Sequence, residues 1–333
     1  MRIVVTGATG NVGTSVLRVL GLDGDVEEIV GIARRPPATP FPKTTWARAD
    51  VVSDELTEIF EGADAVIHLA WAIQPSRDEP ALRAVNIGGS ARVFDAVARA
   101  CVPVLVHASS VGAYSAGPKD EPVDESWPLD GVQTLFYARH KAEAERLLNR
   151  FEHEHPEVRT VRLRPALIFK RESGTEQRRL FAGPLIPAFL VRPDLIPFVP
   201  DAPRLRFQAV HTDDVARAYC LAVMRDVRGA FNIAADPVLD ADRLARVLGA
   251  RKLPAAPGFL RGVAAFTWRL RLQPSPEGWV DMAFAVPIMD TTRAREELGW
   301  EPRKTSEDAF RELREGMQDG ARPATPALAG ARP

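Results

Sequence analysis

Cysteine is scarce in this sequence, and the two that occur, Cys101 and Cys220, lie far apart in apolar or helical contexts. A disulfide-stabilised secreted fold is therefore not favoured, and we expect two buried, reduced thiols. The sequence also has no apolar run long enough to cross a bilayer and no charged-then-apolar leader before the first strand-like segment. These absences favour a cytoplasmic protein.

An excess of charge of either sign is missing as well. The 333 residues include 43 Lys and Arg against 44 Asp and Glu, which gives a net charge of −1. Electrostatics therefore favour neither a nucleic-acid partner nor an anionic membrane. His153 and His155 do not predict a metal site, because alternate residues on a helix point apart. We expect a small-molecule substrate as the partner.

Apolar strand-like runs alternate with helical stretches through the first half of the chain. The runs span residues 3–6, 28–33, 65–69, 102–108 and 158–163. Continuous apolar strands are buried on both faces of a sheet, so this alternation predicts an α/β fold with a doubly wound parallel sheet and right-handed crossovers.

The texture changes after Pro165, where prolines interrupt an apolar segment between 184 and 203. We expect the chain to return to the sheet near 206–223 and 231–234. The predicted sheet domain is 1–165 plus about 206–235, and the predicted substrate lobe, smaller and discontinuous, is 166–205 plus 236–319. The tail at 320–333 lacks hydrophobic periodicity and is expected to be disordered.

Glycines at three-residue intervals follow the first predicted strand, at Gly7, Gly10 and Gly13. Such glycines let the backbone turn tightly and approach a pyrophosphate, while free amides at a helix start hold the anion. The spacing is G-x-x-G-x-x-G rather than G-x-G-x-x-G, and a plain strand-turn-helix is the alternative. We predict a dinucleotide site here, which also includes Thr9, Asn11 and Val12.

Tyr137 and Lys141 stand four residues apart, and the segment 138–149 is predicted to be helical. Residues at i and i+4 share a helix face, so the ammonium can lie beside the phenol. A phenol that acts as a base near neutral pH needs a pKa shift of about three units, or about 4 kcal/mol. One positive charge at about 4 Å supplies about 4 kcal/mol at an effective dielectric constant of 20. We therefore expect Lys141 to lower the pKa of Tyr137, with a solvated surface pair as the alternative.

These glycines, Tyr137, Lys141 and Ser110 together resemble the extended short-chain dehydrogenase/reductase family, the NAD(P)-dependent epimerase/dehydratase group. The resemblance extends over nearly the whole chain and includes the segments 65–70, 85–90, 210–216 and 298–302. It implies a Rossmann fold, hydride transfer between nicotinamide and a hydroxyl or carbonyl carbon, and a homodimer formed by helices near 84–100 and 138–149. It also implies that Tyr137 exchanges the substrate proton while Ser110, four residues before Tyr114, holds the same oxygen.

The resemblance assigns further cofactor contacts at the ends of predicted strands and at a helix start. Two of them have alternatives: Asp50 could cap a helix that begins near Ser53, and Ser109 could bond the local backbone. The complete set of these contacts, beyond the glycine segment, is Asp50, Val51, Leu69, Ala70, Trp71, Asn86, Ser109, Tyr137, Lys141, Pro165 and Ala166.

Two arginines, Arg34 and Arg35, follow the second predicted strand, and Ala33 stands where NAD-preferring members of the family place aspartate. Arginine can hold a 2′-phosphate in a planar fork. We predict NADP(H), with Arg34 as the first contact and Arg35 as the second. NAD is the alternative if the two arginines form only a solvated loop.

Two positions that bind the diphosphate in nucleotide-sugar members of the family appear apolar in this sequence. No asparagine follows Arg164 in the run Pro165-Ala166-Leu167-Ile168, and Phe207 stands four residues before His211 where an arginine is usual. An apolar or aromatic substrate is therefore expected. The lobe residues that suggest it, or that are instead its ordinary core, are Phe181, Leu185, Ile186, Phe189, Leu190, Ile196 and Phe198.

Three functions follow from this reading. The favoured one is an NADP(H)-dependent alcohol dehydrogenase or ketone reductase. The second is an epimerase or dehydratase that retains NAD, and the third is a non-catalytic dinucleotide sensor.

Overall fold

A computed structural model describes residues 1–74, 76–181, 197–319 and 325. Its main feature is a seven-stranded parallel sheet. The strands of this sheet are β1 (Arg2–Thr6), β2 (Glu28–Ala33), β3 (Thr44–Arg48), β4 (Ala65–His68), β5 (Val104–Ala108), β6 (Arg159–Pro165) and β10 (Gly229–Ile233). Their order across the sheet is β10-β6-β5-β4-β1-β2-β3. The prediction of a doubly wound parallel α/β sheet is confirmed.

Helices cover both faces of this sheet, and alternate residues of each strand point to opposite faces. Ile3 and Val5 of β1 are buried in one apolar cluster, while Val4 is buried in a second cluster on the other face. The helices are α1 (Asn11–Leu22), α2 (Thr57–Phe60), α3 (Glu79–Arg83), α4 (Ser90–Arg99), α5 (Phe136–Glu154), α6 (Gly174–Phe181), α7 (Thr212–Met224), α8 (Ala241–Leu248), α9 (Pro257–Arg269), α10 (Gly278–Ala285), α11 (Thr292–Glu296) and α12 (Ser306–Asp319).

Three shorter helical turns complete the helical elements: a π-helix at Ala84–Gly89 and 3₁₀ turns at Val111–Ala113 and Arg171–Ser173. The predicted helix around Tyr137 is longer than expected, because α5 begins two residues earlier and extends past 149. The strand order reverses between β1 and β4, since β2 and β3 lie on one side of β1 and β4 lies on the other. A crevice therefore opens at the carboxyl ends of β1 and β4, where ligands bind in such sheets.

The smaller sheets correct the prediction that the chain returns to the large sheet near 206–223. Strand β9 (Phe207–His211) lies instead between β7 (Leu167–Phe169) and β11 (Ala235–Leu239) in a three-stranded sheet. The place beside β6 is taken by β10, which pairs with it from Gly229 to Ile233. A two-stranded sheet joins β8 (Phe198–Asp201) to β12 (Arg251–Pro254).

Two expectations from composition can be compared with the structure. Cys220 is buried as expected, but Cys101 is exposed, because it lies in the turn between α4 and β5. Of the tail at 320–333, only Thr325 is described, and its hydroxyl donates to the Thr9 carbonyl at 2.6 Å; the rest of that prediction lies outside the described residues. In the described part of the chain, no helix combines the length and the apolar character that a membrane span requires.

Candidate active site

The turn between β1 and α1 is closed by glycines that no other residue can replace without displacing backbone. Gly7 has φ +65°, and a Cβ there would lie 2.7 Å from the Ala70 nitrogen. A Cβ on Gly13 would lie 2.4 Å from the Gly7 carbonyl oxygen. The cap residue of α1, Gly10, offers no side-chain acceptor, so the first amides of the helix keep their donors for an anion. This cradle fits the pyrophosphate of a dinucleotide.

One cavity of about 560 Å³ connects the start of α1 with Tyr137. It begins at Asn11 and Val12 and continues along the carboxyl ends of β4, β5 and β6. The structure thus gathers predicted residues from five separate segments into one space. The predicted residues that line it are Asn11, Val12, Leu69, Trp71, Ser109, Ser110, Tyr137, Lys141, Pro165 and Ala166.

Tyr137 lies at the first turn of α5, next to the end of β5. Ser110 and Tyr137 line the same cavity, and Ser110 Oγ accepts from the Gly112 amide at 3.0 Å. A Cβ at Gly112 would lie 2.9 Å from Tyr137 Cε1, so the missing side chain lets the ring approach. Two indoles flank this ring, with centroids at 6.3 Å for Trp71 and 5.2 Å for Trp279.

The expected electrostatic effect of Lys141 on Tyr137 is wrong for this structure. Burial raises the pKa of Tyr137 above its ordinary value, and the Ser110 hydrogen bond opposes that rise only in part. The Lys141 ammonium lies 5.9 Å from the centroid of the phenol ring but 3.4 Å from that of Trp71. Because the cation sits against the indole and water is removed from the phenol, the neutral phenol is favoured.

Lys141 is itself almost fully buried. Its ammonium donates to the Ala108 carbonyl at 2.7 Å, at the end of β5. Burial lowers the pKa of Lys141 to about 7, although the Glu145 carboxylate one helical turn away opposes this shift. The lysine can therefore gain or lose its proton near neutral pH.

Glu145 is a buried residue that the sequence analysis missed. Its carboxylate accepts from Ser109 Oγ at 2.5 Å, from Arg162 Nη1 at 3.0 Å and from Arg164 Nε at 2.8 Å. Burial opposes ionisation, but the charges and hydrogen bonds of Arg164 and Arg162 lower the pKa of Glu145 to about 2. This network fixes Ser109, so that its hydroxyl bonds a side chain and not the local backbone.

Asn86 lies in the π-helix and is not among the residues that line the cavity. Its side-chain oxygen accepts from the Ala72 amide at 2.7 Å, and its nitrogen donates to the Ala72 carbonyl at 2.9 Å. Both bonds hold the loop that carries Ala70 and Trp71. In this structure Asn86 positions a cavity loop and does not face the cavity.

The predicted cofactor-selecting residues lie at the ends of β2 and β3. Arg34 and Arg35 are exposed, and Arg34 Nη1 lies 4.0 Å from Asp50 Oδ2. Asp50 Oδ1 accepts from the Val52 amide at 3.0 Å, in a turn and not at the start of a helix. Val51 is buried beside them. The capping alternative for Asp50 is therefore wrong.

One side of the cavity, formed by α10, is apolar and was not connected to the site by the sequence analysis; Glu176 and Gln177 of α6 line another part of the cavity. Trp279 and Met282 of α10 line it, and they also line an adjoining cavity of about 210 Å³. Among the described residues that line this second cavity, Gln208 alone has an amide side chain, and that amide is engaged with both backbone groups of Met289. The other lining residues of the second cavity are Val111, Ala166, Leu167, Leu205, Phe207, Ala283, Val286 and Pro287.

The arginines that could replace the missing diphosphate ligands point elsewhere. Arg204 donates to the Gly117 carbonyl at 2.8 Å, and Arg206 pairs with Asp120 at 3.0 Å. Phe198 is exposed. The remaining predicted lobe residues lie outside the described residues, or outside the described side chains for Phe181, and they are Leu185, Ile186, Phe189, Leu190 and Ile196.

Comparison with known proteins gives a family match. The model of the NAD dependent epimerase/dehydratase family matches residues 3–234. An uncharacterised protein of Mycobacterium tuberculosis is 28% identical over 316 residues, which are 94% of this chain. This chain spans only 30% of the length of that relative.

Two characterised proteins are also similar. An L-arabinose 1-dehydrogenase (NAD(P)(+)) of Haloferax volcanii is 39% identical over 115 residues, which are 33% of this chain and 41% of that protein. The solved UDP-glucose 4-epimerase of Thermus thermophilus in complex with NAD has a TM-score of 0.69 and 20% identity, and the match covers 96% of this chain and 99% of that one. The structural likeness agrees with the Rossmann architecture.

Proposed function

Because the chain belongs to the NAD dependent epimerase/dehydratase family, a family of enzymes, we propose that it is an NAD(P)-dependent oxidoreductase. It would act on a carbon that carries a hydroxyl or carbonyl group. The observation that supports this proposal most is one cavity that is lined by Asn11 and Val12, at the glycine turn, and by Ser110 and Tyr137. A dinucleotide held by that turn and a substrate held by that pair would share one space.

The residues present fit the cofactor. The uncapped first turn of α1, from Asn11 to Gly13, would hold the phosphates, and Arg34 would hold a 2′-phosphate. Asp50 would contact the adenine. Bound NAD(P) would supply the hydride acceptor or donor.

Tyr137 would act as the acid/base. Its raised pKa keeps the phenol protonated at neutral pH, which is the form that donates a proton to a carbonyl oxygen. Ser110 would bond the same oxygen and align it with the phenol. In the opposite direction the phenolate of Tyr137 would accept the hydroxyl proton, and the raised pKa of Tyr137 would confine that direction to alkaline pH.

The substrate proposed is apolar or aromatic. Among the described residues, the wall formed by Trp279, Met282 and the adjoining cavity carries no charged side chain, and Arg204 and Arg206 bond elsewhere. A diphosphate group would therefore be desolvated without a partner on this wall. A homodimer through α4 and α5 is also proposed.

Two alternatives remain as proposals. The likeness to a UDP-glucose 4-epimerase structure favours an epimerase that retains its cofactor. The amount of NAD(H) extracted from the purified protein distinguishes the two proposals. An epimerase retains bound NAD(H) through purification, whereas a reductase releases its cofactor. A non-catalytic dinucleotide sensor would bind cofactor but turn over no carbonyl compound.

Tyr137→Phe tests the proposal. We expect kcat for carbonyl reduction to fall about 10²- to 10⁴-fold, because general acid catalysis supplies that range. Cofactor affinity, measured by quenching of tryptophan fluorescence, should change little. Tyr114→Phe is the matched control, since its buried hydroxyl bonds Asn232 and Arg164 away from the cavity. Near-normal turnover by Tyr137→Phe with cofactor bound would reject the proposed role.

Cofactor preference has its own test. Dissociation constants for NADPH and NADH should differ in favour of NADPH, and Arg34→Ala should weaken NADPH binding about tenfold, because a charge-assisted bond to phosphate is lost. NADH affinity should stay nearly constant in that variant. Equal or tighter binding of NADH by the wild type would reject NADP(H) and leave the oxidoreductase proposal standing.

A further inference from the structure

A row of exposed apolar side chains runs along α9. Phe259, Val263, Phe266 and Leu270 are spaced by four, three and four residues, so they share one face of the helix. Their exposed fractions lie between 46% and 67%. We call these four residues the apolar stripe. The opposite side of α9 is partly covered, so the stripe is the outward face.

Exposed large hydrophobic side chains are concentrated in the segment of the sequence that contains this stripe. Eight such side chains are exposed in the described residues, and six of them lie between residues 253 and 272. Leu253 precedes α9, Leu272 follows it, and Phe198 of β8 pairs with the residue at the start of β12. Single exposed hydrophobic residues are ordinary, but a contiguous set marks an interaction surface.

The surrounding chain is cationic, although the whole protein has a net charge of −1. Residues 243–276 contain seven Arg and Lys and no Asp or Glu. Four of these cations pair with carboxylates from outside that segment. Arg251, Arg269 and Arg271 are exposed and have no ion pair with any described residue. Although the net charge of the protein is close to zero, this part of its surface is therefore positively charged.

The helix that carries the stripe is fastened to the rest of the molecule. The Arg77 guanidinium lies 3.5 Å from the centroid of a Trp268 ring and also donates to the Trp268 carbonyl. Ser76 donates to the carbonyl of Pro274, just after α9. Both bonds come from the loop after β4 that carries Trp71. The stripe is thus held on a fixed element that adjoins the cavity loop.

We propose that the apolar stripe, together with Arg251, Arg269 and Arg271, docks the protein on the surface of an anionic lipid bilayer. An amphipathic helix with apolar residues on one face and arginines beside them lies in the plane of the interface. The phenyl rings reach the acyl boundary, and the guanidinium groups remain among the anionic headgroups. A bilayer matches both properties of the surface, the linear apolar face and the uncompensated positive charge. No span is involved.

The test uses the full chain and vesicles of phosphatidylcholine, alone or mixed with phosphatidylglycerol. In a sedimentation assay at low ionic strength, the wild type should bind the mixed vesicles and bind phosphatidylcholine much more weakly. Phe259→Ser with Phe266→Ser should weaken binding by about tenfold or more for each ring. Arg269→Gln with Arg271→Gln should weaken it about fivefold for each charge and reduce the sensitivity to salt.

Leu22→Ser is the matched control, because Leu22 is 83% exposed but lies at the end of α1. It should bind vesicles as the wild type does. Circular dichroism of each variant verifies that loss of binding is not loss of folding. The proposal is overturned if the wild type does not bind mixed vesicles, or if Leu22→Ser loses binding as much as the phenylalanine variant. It is also overturned if light scattering without vesicles shows an oligomer that Phe259→Ser with Phe266→Ser dissociates, because the stripe is then a protein interface.

Discussion

The two walls of the cavity stabilise their residues in different ways. On the wall formed by α5 and β5, buried polar groups compensate one another: Glu145 carries two arginines and the Ser109 hydroxyl. On the wall formed by α10 and the three-stranded sheet, the lining is apolar, and the amide of Gln208 hydrogen-bonds the backbone of Met289. Under the proposed function, the groups for proton transfer would belong to the polar wall, and substrate selection would belong to the apolar one.

The two walls also differ in how the buried cation beside each of them is paired. Arg164 faces a carboxylate, whereas Lys119 donates to the carbonyls of Arg206 and Ala283, at 2.8 and 2.9 Å, and pairs with no carboxylate of the described residues. Burial, reinforced by the charges of Arg204 and Arg206, lowers the pKa of Lys119 to about 7. Compensated charge on one wall therefore contributes to stability, while the uncompensated charge on the other costs stability whenever it is protonated.

The largest expected effect is on the polar wall. Glu145→Ala leaves Arg162 and Arg164 buried without their carboxylate, so the free energy of unfolding should fall by about 3–5 kcal/mol. Urea denaturation measures it. Glu152→Gln is the matched control, since Glu152 also pairs with Arg162 but is partly exposed, and it should lose about 1 kcal/mol or less. Equal losses in the two variants would show that burial of the network does not matter.

The second effect concerns Lys119 and pH. Its pKa is lower in the folded protein than the value of 10.5 for a free lysine, so the unfolded chain binds more protons between these two pH values. The free energy of unfolding should therefore rise with pH from about 7 to 10, by about 2–4 kcal/mol from this group. Lys119→Met should remove that part of the rise. Parallel pH curves for wild type and Lys119→Met would contradict the assignment.

The polar wall was largely predictable because its signals are local in sequence. The glycine turn, Ser110 and the pair Tyr137 and Lys141 each lie at the end of a strand or the start of a helix, and parallel strands bring these ends together. The pKa direction of Tyr137 was not predictable, since it depends on burial and on where the Lys141 ammonium lies. Glu145 could not be identified from the sequence, because a glutamate in a polar helix is expected to be solvated unless its arginine partners on β6 are known.

The apolar wall was not predictable from the sequence. Trp279 and Met282 are about 140 residues away from Tyr137, and no pattern in their neighbourhood links them to it. Strand β10 occupies the edge of the large sheet beside β6, and β9 lies in a separate sheet. Which strand takes that edge depends on tertiary packing and not on local sequence preference. Contacts of that kind follow from the fold and from no short motif.

The smallest expected effect tests the apolar wall through Trp279. Its ring centroid lies 5.2 Å from that of Tyr137, so an aromatic or apolar substrate held at the phenol would contact the indole. Trp279→Ala should raise KM for aromatic ketones about tenfold, or about 1–2 kcal/mol, with a smaller change in kcat. KM for a small aliphatic ketone is the control and should change less, because such a substrate does not reach the indole. An equal rise of KM for both ketones would mean that Trp279 positions the phenol and does not contact the substrate. The proposed division of roles between the two walls would then be wrong.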